Sequence, residues 1–280
     1  LPPLPDVVIE PIVRLALQED LGAAGDVTTD AMIDAAARGR WALRARKPGI
    51  VAGLDAAMLT ARLVDPGIAF KIARCDGARV GAGETIAEIE GLARSVLTAE
   101  RTMLNFVGRL SGVATLTRSY VDAIAPAKAQ IVCTRKTTPG LRALEKRAVR
   151  LGGGGPHRYG LNDAILIKDN HIAAAGGVAQ AMQRAKAHGG HLMAIEIEVD
   201  GLEQLEAAIP CAPAVILLDN FSIADMAAAV TRVAGAIALE ASGGVNLDSV
   251  RAIAETGVDV ISIGALTHSA PALDVGLDAL

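Results

Sequence analysis

The chain has 280 residues, 51% of them hydrophobic and only 2% aromatic, with a net charge of −4 at pH 7. That length suffices for one barrel-sized domain or two smaller ones, with small aliphatic side chains filling the core. The mildly acidic balance excludes a general attraction to nucleic acid or to an anionic membrane, and no stretch is apolar over the length of a membrane span, so any anion must be held locally.

Residues 1–9 are Pro-rich and lack the basic end and apolar run of a secretory signal, which predicts a cytoplasmic protein. Residues 10–21 place Ile12, Val13, Ala16, Leu17 and Leu21 on one helical face, and Trp41, Leu43 and Ala45 then alternate with charged residues as in a half-buried strand. A helix over 53–64 follows, then strands at 68–72 and 85–89 around the turn-rich segment 76–84. This is the pattern of a small α+β unit. A helical stretch from Leu92 to about Ala125 comes next, with an interruption expected at Ser111–Gly112. Cys75, Cys133 and Cys211 are odd in number and far apart, which argues against disulfides or structural zinc and predicts buried, reduced thiols.

From residue 130 short apolar runs at 130–133, 164–167, 193–199, 214–218, 236–239 and 258–263 alternate with helical segments. Six βα units in succession imply a parallel sheet. No G-x-G-x-x-G follows the first strand, which favours a closed or incomplete barrel over an open dinucleotide-binding sheet.

Barrels carry their reactive groups at the carboxyl ends of the strands. Here those ends are polar: Thr134, Arg135 and Lys136; Lys168 to His171; Glu196 and Glu198 on one face of the third strand; Asp219–Asn220; Glu240 with Ser242, Gly243 and Gly244; and Gly264 with His268 soon after. Residues 133–168 hold eight Arg or Lys against two acids, a local charge of +6. Arg142, Lys146, Arg147 and Arg150 read as a solvated helix face after Pro139. Arg135, Lys136, Arg158 and Lys168 sit at strand ends or beside the Gly152–Gly155 run, where a charge suits an anionic ligand, and the glycines let His157 and Arg158 approach it. Ser242, Gly243 and Gly264 stand where barrels build phosphate sites from backbone N–H groups, or simply make tight βα turns. Glu198 and Asp219 lie among apolar strand residues and need a partner: a divalent cation, sugar hydroxyls or Lys136, with an internal salt bridge as the structural alternative.

The runs beginning Cys133-Thr-Arg-Lys-Thr-Thr-Pro-Gly, Gly152-Gly-Gly-Gly-Pro-His-Arg-Tyr-Gly, Ile165-Leu-Ile-Lys-Asp-Asn-His, Leu217-Leu-Asp-Asn, Glu240-Ala-Ser-Gly-Gly and Ile263-Gly-Ala-Leu-Thr-His together resemble quinolinate phosphoribosyltransferase. Leu97-Thr-Ala-Glu-Arg-Thr-Met-Leu-Asn-Phe extends the resemblance into the first half. It implies an α/β chain with an N-terminal α/β sandwich domain (1–112), an incomplete α/β barrel with the active site (113–268), and a C-terminal tail (269–280) returning to the N-terminal domain. The implied reaction joins quinolinate to phosphoribosyl diphosphate and yields nicotinate mononucleotide, diphosphate and carbon dioxide.

The resemblance also implies a homodimer with shared active sites. Arg101 corresponds to an arginine lent to the partner, while Arg135, Lys136, His157, Arg158 and Lys168 form the pocket for quinolinate's carboxylates. Glu198 and Asp219 take the ribose hydroxyls and the magnesium that accompanies phosphoribosyl diphosphate, with the choice between Glu196 and Glu198 left open. Ser242, Gly243, Gly264 and His268 form the phosphate loops, and Lys136, Glu198 and Asp219 are the expected catalytic residues. Two positions depart from the family pattern, Pro156 where Asn is common and Arg147 where an aromatic is usual. Rivals are a related phosphoribosyltransferase with another acceptor and a non-catalytic barrel that binds a phosphorylated ligand. The Lys168-Asp169-Asn170-His171 run favours the quinolinate branch, and the presence of Arg135, Glu198 and Asp219 favours an enzyme.

Overall fold

The structure, a computed structural model, describes residues 1–280. The chain opens with α1 (Asp6–Leu21), α2 (Val27–Met32), β1 (Arg38–Ala45), β2 (Gly49–Ile50), α3 (Leu54–Val64), β3 (Ala69–Ile72), β4 (Arg79–Val80), β5 (Thr85–Leu92) and the long α4 (Ala93–Ile124). Then come β6 (Gln130–Val132), α5 (Arg142–Leu151), β7 (Ile165–Ile167), α6 (Asp169–Ala175), α7 (Val178–His188), β8 (Ile195–Val199) and α8 (Leu202–Ala208). The chain closes with β9 (Val215–Asp219), α9 (Ile223–Val233), β10 (Ala238–Ser242), α10 (Val250–Glu255), β11 (Val260–Ser262), α11 (Ala265–His268) and β12 (Val275–Ala279). No helix is long and apolar enough to cross a membrane. Two compact units result, both discontinuous in sequence: the first gathers 1–118, 137–153 and 266–280, the second 119–136 and 154–265.

In the first unit β12, β1, β5 and β3 form an antiparallel sheet, and the chain's last strand pairs with β1 from Trp41↔Ala279 to Ala45↔Val275. Leu43, Ala45, Ile86 and Ile89 from the sheet pack with Leu54, Ala57 and Ala61 of α3 and with Val96, Ala99, Met103 and Val107 of α4. The α4 positions recur every three or four residues, so one stripe of that helix faces the core. Each large aliphatic buried there contributes roughly 1.5–3 kcal/mol.

The interruption expected at Ser111–Gly112 is absent, and α4 runs straight through. These small residues serve close packing instead. Ser111 Oγ accepts the Ala52 N–H at 2.9 Å and donates to its carbonyl at 3.1 Å, while a Cβ on Gly112 would sit 2.0 Å from the Pro271 carbonyl oxygen.

A second correction concerns α5. Glu145 and Lys146 are fully buried and Arg147 nearly so; of the four cations expected in solvent, only Arg150 is exposed. Arg109 reaches Glu145 at 2.8 Å, and Arg147 Nη1 lies 2.6 Å from Asp76 and 3.6 Å from Asp55. Burial outweighs the Arg147 charge and holds the Asp76 carboxyl above its ordinary range. This part of the +6 stretch is therefore internal ion-pair structure. It also explains the Arg147 departure, since two acids receive the guanidinium. The cysteines differ from expectation too: none is in a disulfide, but only Cys133 is buried, Cys211 is half-buried and Cys75 is exposed.

The second unit holds a six-stranded parallel sheet in the order β6-β11-β10-β9-β8-β7. β6 and β7 are its two edges, so the ladder stays open and the barrel is incomplete, as expected. Ile131, Ile197, Ile216, Leu218, Ala241 and Ile261 are almost wholly buried, while alternate residues turn polar groups to the other face.

Candidate active site

One face of that sheet, at the carboxyl ends of its strands, lines a cavity of about 620 Å³. The alternation of strand side chains decides which residues reach it: Leu166 and Lys168, Glu198, Leu217 and Asp219, Glu240 and Ser242, and Ser262. Register fixes their levels, with Glu198 and Glu240 both opposite Leu217, and Ser242 opposite Asp219. Arg135 and Lys136 come from the segment after β6. His157 and Arg158 come from the loop after the glycine run, whose last member, Gly155, hydrogen-bonds alongside β6 through Ile131 O at 2.7 Å and Cys133 N at 3.2 Å. The run thus extends the sheet edge and aims His157 at the cavity, while Pro156 is exposed.

Burial, and then the like charge of Arg135, lower the Arg158 pKa, and Arg158 Nη1 is anchored on the Ala164 carbonyl at 3.0 Å. Asp163 shapes this loop by accepting the N–H groups of Tyr159 and Gly160 at 2.6 and 2.9 Å; burial opposes its ionisation, but these bonds hold its pKa below normal. Lys168 Nζ lies 2.6 Å from Glu198 Oε2, so Lys168, which follows the strand next to β8, is the partner seen on that acid. His171 does not line the cavity; its Nδ1 accepts the Lys168 N–H at 2.9 Å and caps α6.

The acids divide by depth. Glu198 and Asp219 line the cavity half-buried, and Asp219 Oδ2 accepts the Asn220 side chain at 2.8 Å. Glu196 and Glu240 are 8% and 4% exposed, and His157 Nε2 lies 3.1 Å from the first and 3.6 Å from the second. Beside Asp219, Asn220 adopts φ +55° and its backbone N–H meets the Ser242 carbonyl at 2.9 Å. Gly243 has φ +96°, and a Cβ there would lie 2.1 Å from Asn220 Oδ1. Only glycine fits that turn without displacing Asn220.

Of the residues singled out from sequence, Arg135, Lys136, His157, Arg158, Lys168, Glu198, Asp219, Ser242 and Gly243 share this cavity. Gly264 follows β11 half-buried and is not among its lining residues. Arg101, exposed on α4, and His268, whose Nδ1 is 2.6 Å from Ser269 Oγ, belong to the first unit. Asn220, Ser262 and Glu240 line the cavity without having been selected. Glu240 was visible as a strand-end acid, but its proximity to Glu196 depends on sheet order.

Sequence models of the quinolinate phosphoribosyl transferase N-terminal domain and C-terminal domain match residues 26–111 and 113–278. The chain belongs to the quinolinate phosphoribosyltransferase family. It is 46% identical over 271 residues to the nicotinate-nucleotide pyrophosphorylase (carboxylating) of Mycobacterium leprae, covering 95% of each chain. It is 40% identical to quinolinate phosphoribosyltransferase (decarboxylating) 1 of Nicotiana glauca, with 99% of this chain and 83% of that one covered. The solved nicotinate-nucleotide pyrophosphorylase of Francisella tularensis superposes with a TM-score of 0.95 at 41% identity, over 99% of this chain and 98% of the other. Family membership accounts for both the incomplete barrel and its cation-rich strand ends.

Proposed function

We propose that this quinolinate phosphoribosyltransferase converts quinolinate and phosphoribosyl diphosphate to nicotinate mononucleotide, diphosphate and carbon dioxide in NAD biosynthesis, with the cavity at the strand ends as its active site. The carrying observation is that Arg135, Lys136, Arg158 and Lys168 converge on one cavity that also offers two half-buried acids and a glycine turn. Planar guanidinium groups and Lys point charges suit the two carboxylates of quinolinate, and His157 adds an imidazole between them and the floor. The Ser242–Gly243 turn suits a phosphate through its backbone N–H groups.

The protein's task is to hold two anions together against their repulsion, with the pyridine nitrogen in line with the anomeric carbon. As that nitrogen bonds the anomeric carbon and diphosphate departs, positive charge moves onto the ring. The ring cation then stabilises the electron pair left when the adjacent carboxylate departs as carbon dioxide. Arg135 and Arg158 keep the carboxylates oriented throughout. Glu198 and Asp219 are positioned to accept the ribose hydroxyls.

Both acids also present hard oxygen donors, and each has one oxygen besides that bound by Lys168 or Asn220, which fits a magnesium ion carried by the diphosphate. When bound, that ion supplies charge neutralisation for the leaving diphosphate. We further place the enzyme in the cytoplasm and assign it a homodimer in which Arg101, exposed on α4, serves the partner's site.

Incubation with quinolinate, phosphoribosyl diphosphate and magnesium should release carbon dioxide and diphosphate in equal amounts, while nicotinate as acceptor should give little product. Absence of carbon dioxide release, or preferential use of nicotinate, overturns the assignment. For the shared site, inactive Arg101→Ala and Lys136→Ala proteins should partly restore activity when their subunits are exchanged, because one site of the mixed dimer regains both groups. No recovery after verified exchange refutes the lending of Arg101.

A further inference from the structure

The reaction just described has no use for the pair of carboxyl groups at the cavity floor. Glu240 on β10 and Glu196 on β8 are nearly inaccessible, and one oxygen of each and a ring nitrogen of His157 lie within 4.8 Å of one another. The imidazole's tautomer is set by the backbone: His157 Nδ1 accepts the Arg158 N–H at 2.9 Å, so the ring proton of the neutral form sits on Nε2 and points at Glu196, 3.1 Å away. Ser262 on β11 hydrogen-bonds Glu240. These donors leave Glu196 Oε1 and Glu240 Oε1 buried without a hydrogen-bond partner. Two ionised carboxylates so placed would carry an unscreened repulsion on top of their desolvation. A proton on Glu240, shared toward Glu196, removes the repulsion and the desolvation of one of the two charges. Burial first, and then the charge of Glu196, raise the Glu240 carboxyl to about 7 against the opposing pull of His157.

We propose that Glu240 is the acid that protonates the pyridine C2 carbon as the neighbouring carboxylate departs. The inference rests on the quinolinate reading above and deepens it. As the bond from C2 to the carboxylate carbon breaks, its electron pair stays on C2 and takes the proton from the Glu240 carboxyl; carbon dioxide leaves, and the Glu240 carboxylate regains a proton from water. Without this proton the product ring is incomplete, since a C–H bond replaces the lost C–C bond. Glu240 lines the same cavity as Arg135, Arg158 and Lys168. Those cations are unsuited to the task, because giving up a proton would abolish the charges that hold the substrate. A neutral acid loses nothing the ground state needs, and the surrounding positive charge favours its conjugate base once the proton has gone.

Single-turnover kinetics with quinolinate labelled in the 2-carboxylate separates diphosphate release from carbon dioxide release. Glu240→Gln should release diphosphate within about threefold of the wild-type rate and carbon dioxide about a hundredfold more slowly, the usual size of a general-acid contribution. Glu240→Asp should recover part of the second step. In the wild type the carbon dioxide step should slow as pH rises through about 7 and Glu240 loses its proton, a limb absent from Glu240→Gln. Equal slowing of both steps, undiminished carbon dioxide release, an Asp variant no better than Gln, or the same pH limb in the Gln variant overturns the proposal. If Glu240→Gln proves insoluble, the wild-type pH limb and the Asp variant still decide. A wild type that releases no carbon dioxide refutes the quinolinate reading itself, whereas an active wild type with an unaffected Gln variant refutes only the role of Glu240.

Discussion

The two charged clusters of this molecule differ in how far their charges are matched. In the first unit, Arg109 meets Glu145 and Arg147 meets Asp76 and Asp55, so opposite charges are brought together inside the protein. In the second, Lys168 meets Glu198, but burial and then the charge of Arg135 lower Arg158, and burial and then the charge of Glu196 raise Glu240, around an open cavity. Like charges held together cost stability, and a protein keeps such an arrangement only where something else, here a substrate or a proton, completes it. The difference separates structural charge from functional charge where residue type cannot.

The largest expected effect tests the structural cluster. Arg147→Ala leaves Asp55 and Asp76 buried without their guanidinium and should cost about 3 kcal/mol or more in unfolding free energy, measured by urea denaturation. The activity of the folded fraction should change little. Arg158→Ala should do the reverse, lowering kcat/KM for quinolinate by about a hundredfold while the melting temperature holds or rises, since a like-charge contact with Arg135 is relieved. If both variants lose stability equally, the contrast between the clusters is wrong.

A smaller effect concerns pH. The Glu240 carboxyl goes from an ordinary 4.5 to about 7 in the fold, so the folded state binds its proton more tightly than the unfolded chain. Stability from this group is complete below about 4.5 and declines as pH rises toward about 7. Glu240→Gln removes the decline. It should melt above the wild type at mildly alkaline pH and alongside it near pH 4, and melting curves across that range would expose an opposite trend.

Much of the barrel was readable because its strands are short apolar runs set off by turns, and because a parallel strand must end in the loops that carry ligands. Arg135, Lys168 and Asp219 could be picked out on position alone. The α5 cations could not. A charged helix face looks the same whether it meets water or acids, and the Asp76 that receives Arg147 is 71 residues away. The supposed break at Ser111–Gly112 failed for a related reason: the small residues answer to Ala52 and Pro271, which local propensity cannot see.

By itself, then, the sequence determined the alternation of strands and helices, the family and the strand-end residues, because these depend on local periodicity and short motifs. Tertiary structure alone decided which cations are buried, that Lys168 faces Glu198, and that Glu240 lies beside Glu196 and His157. Those outcomes depend on sheet order and register, which bring residues from separate strands within a few ångströms and replace water with protein around their charges.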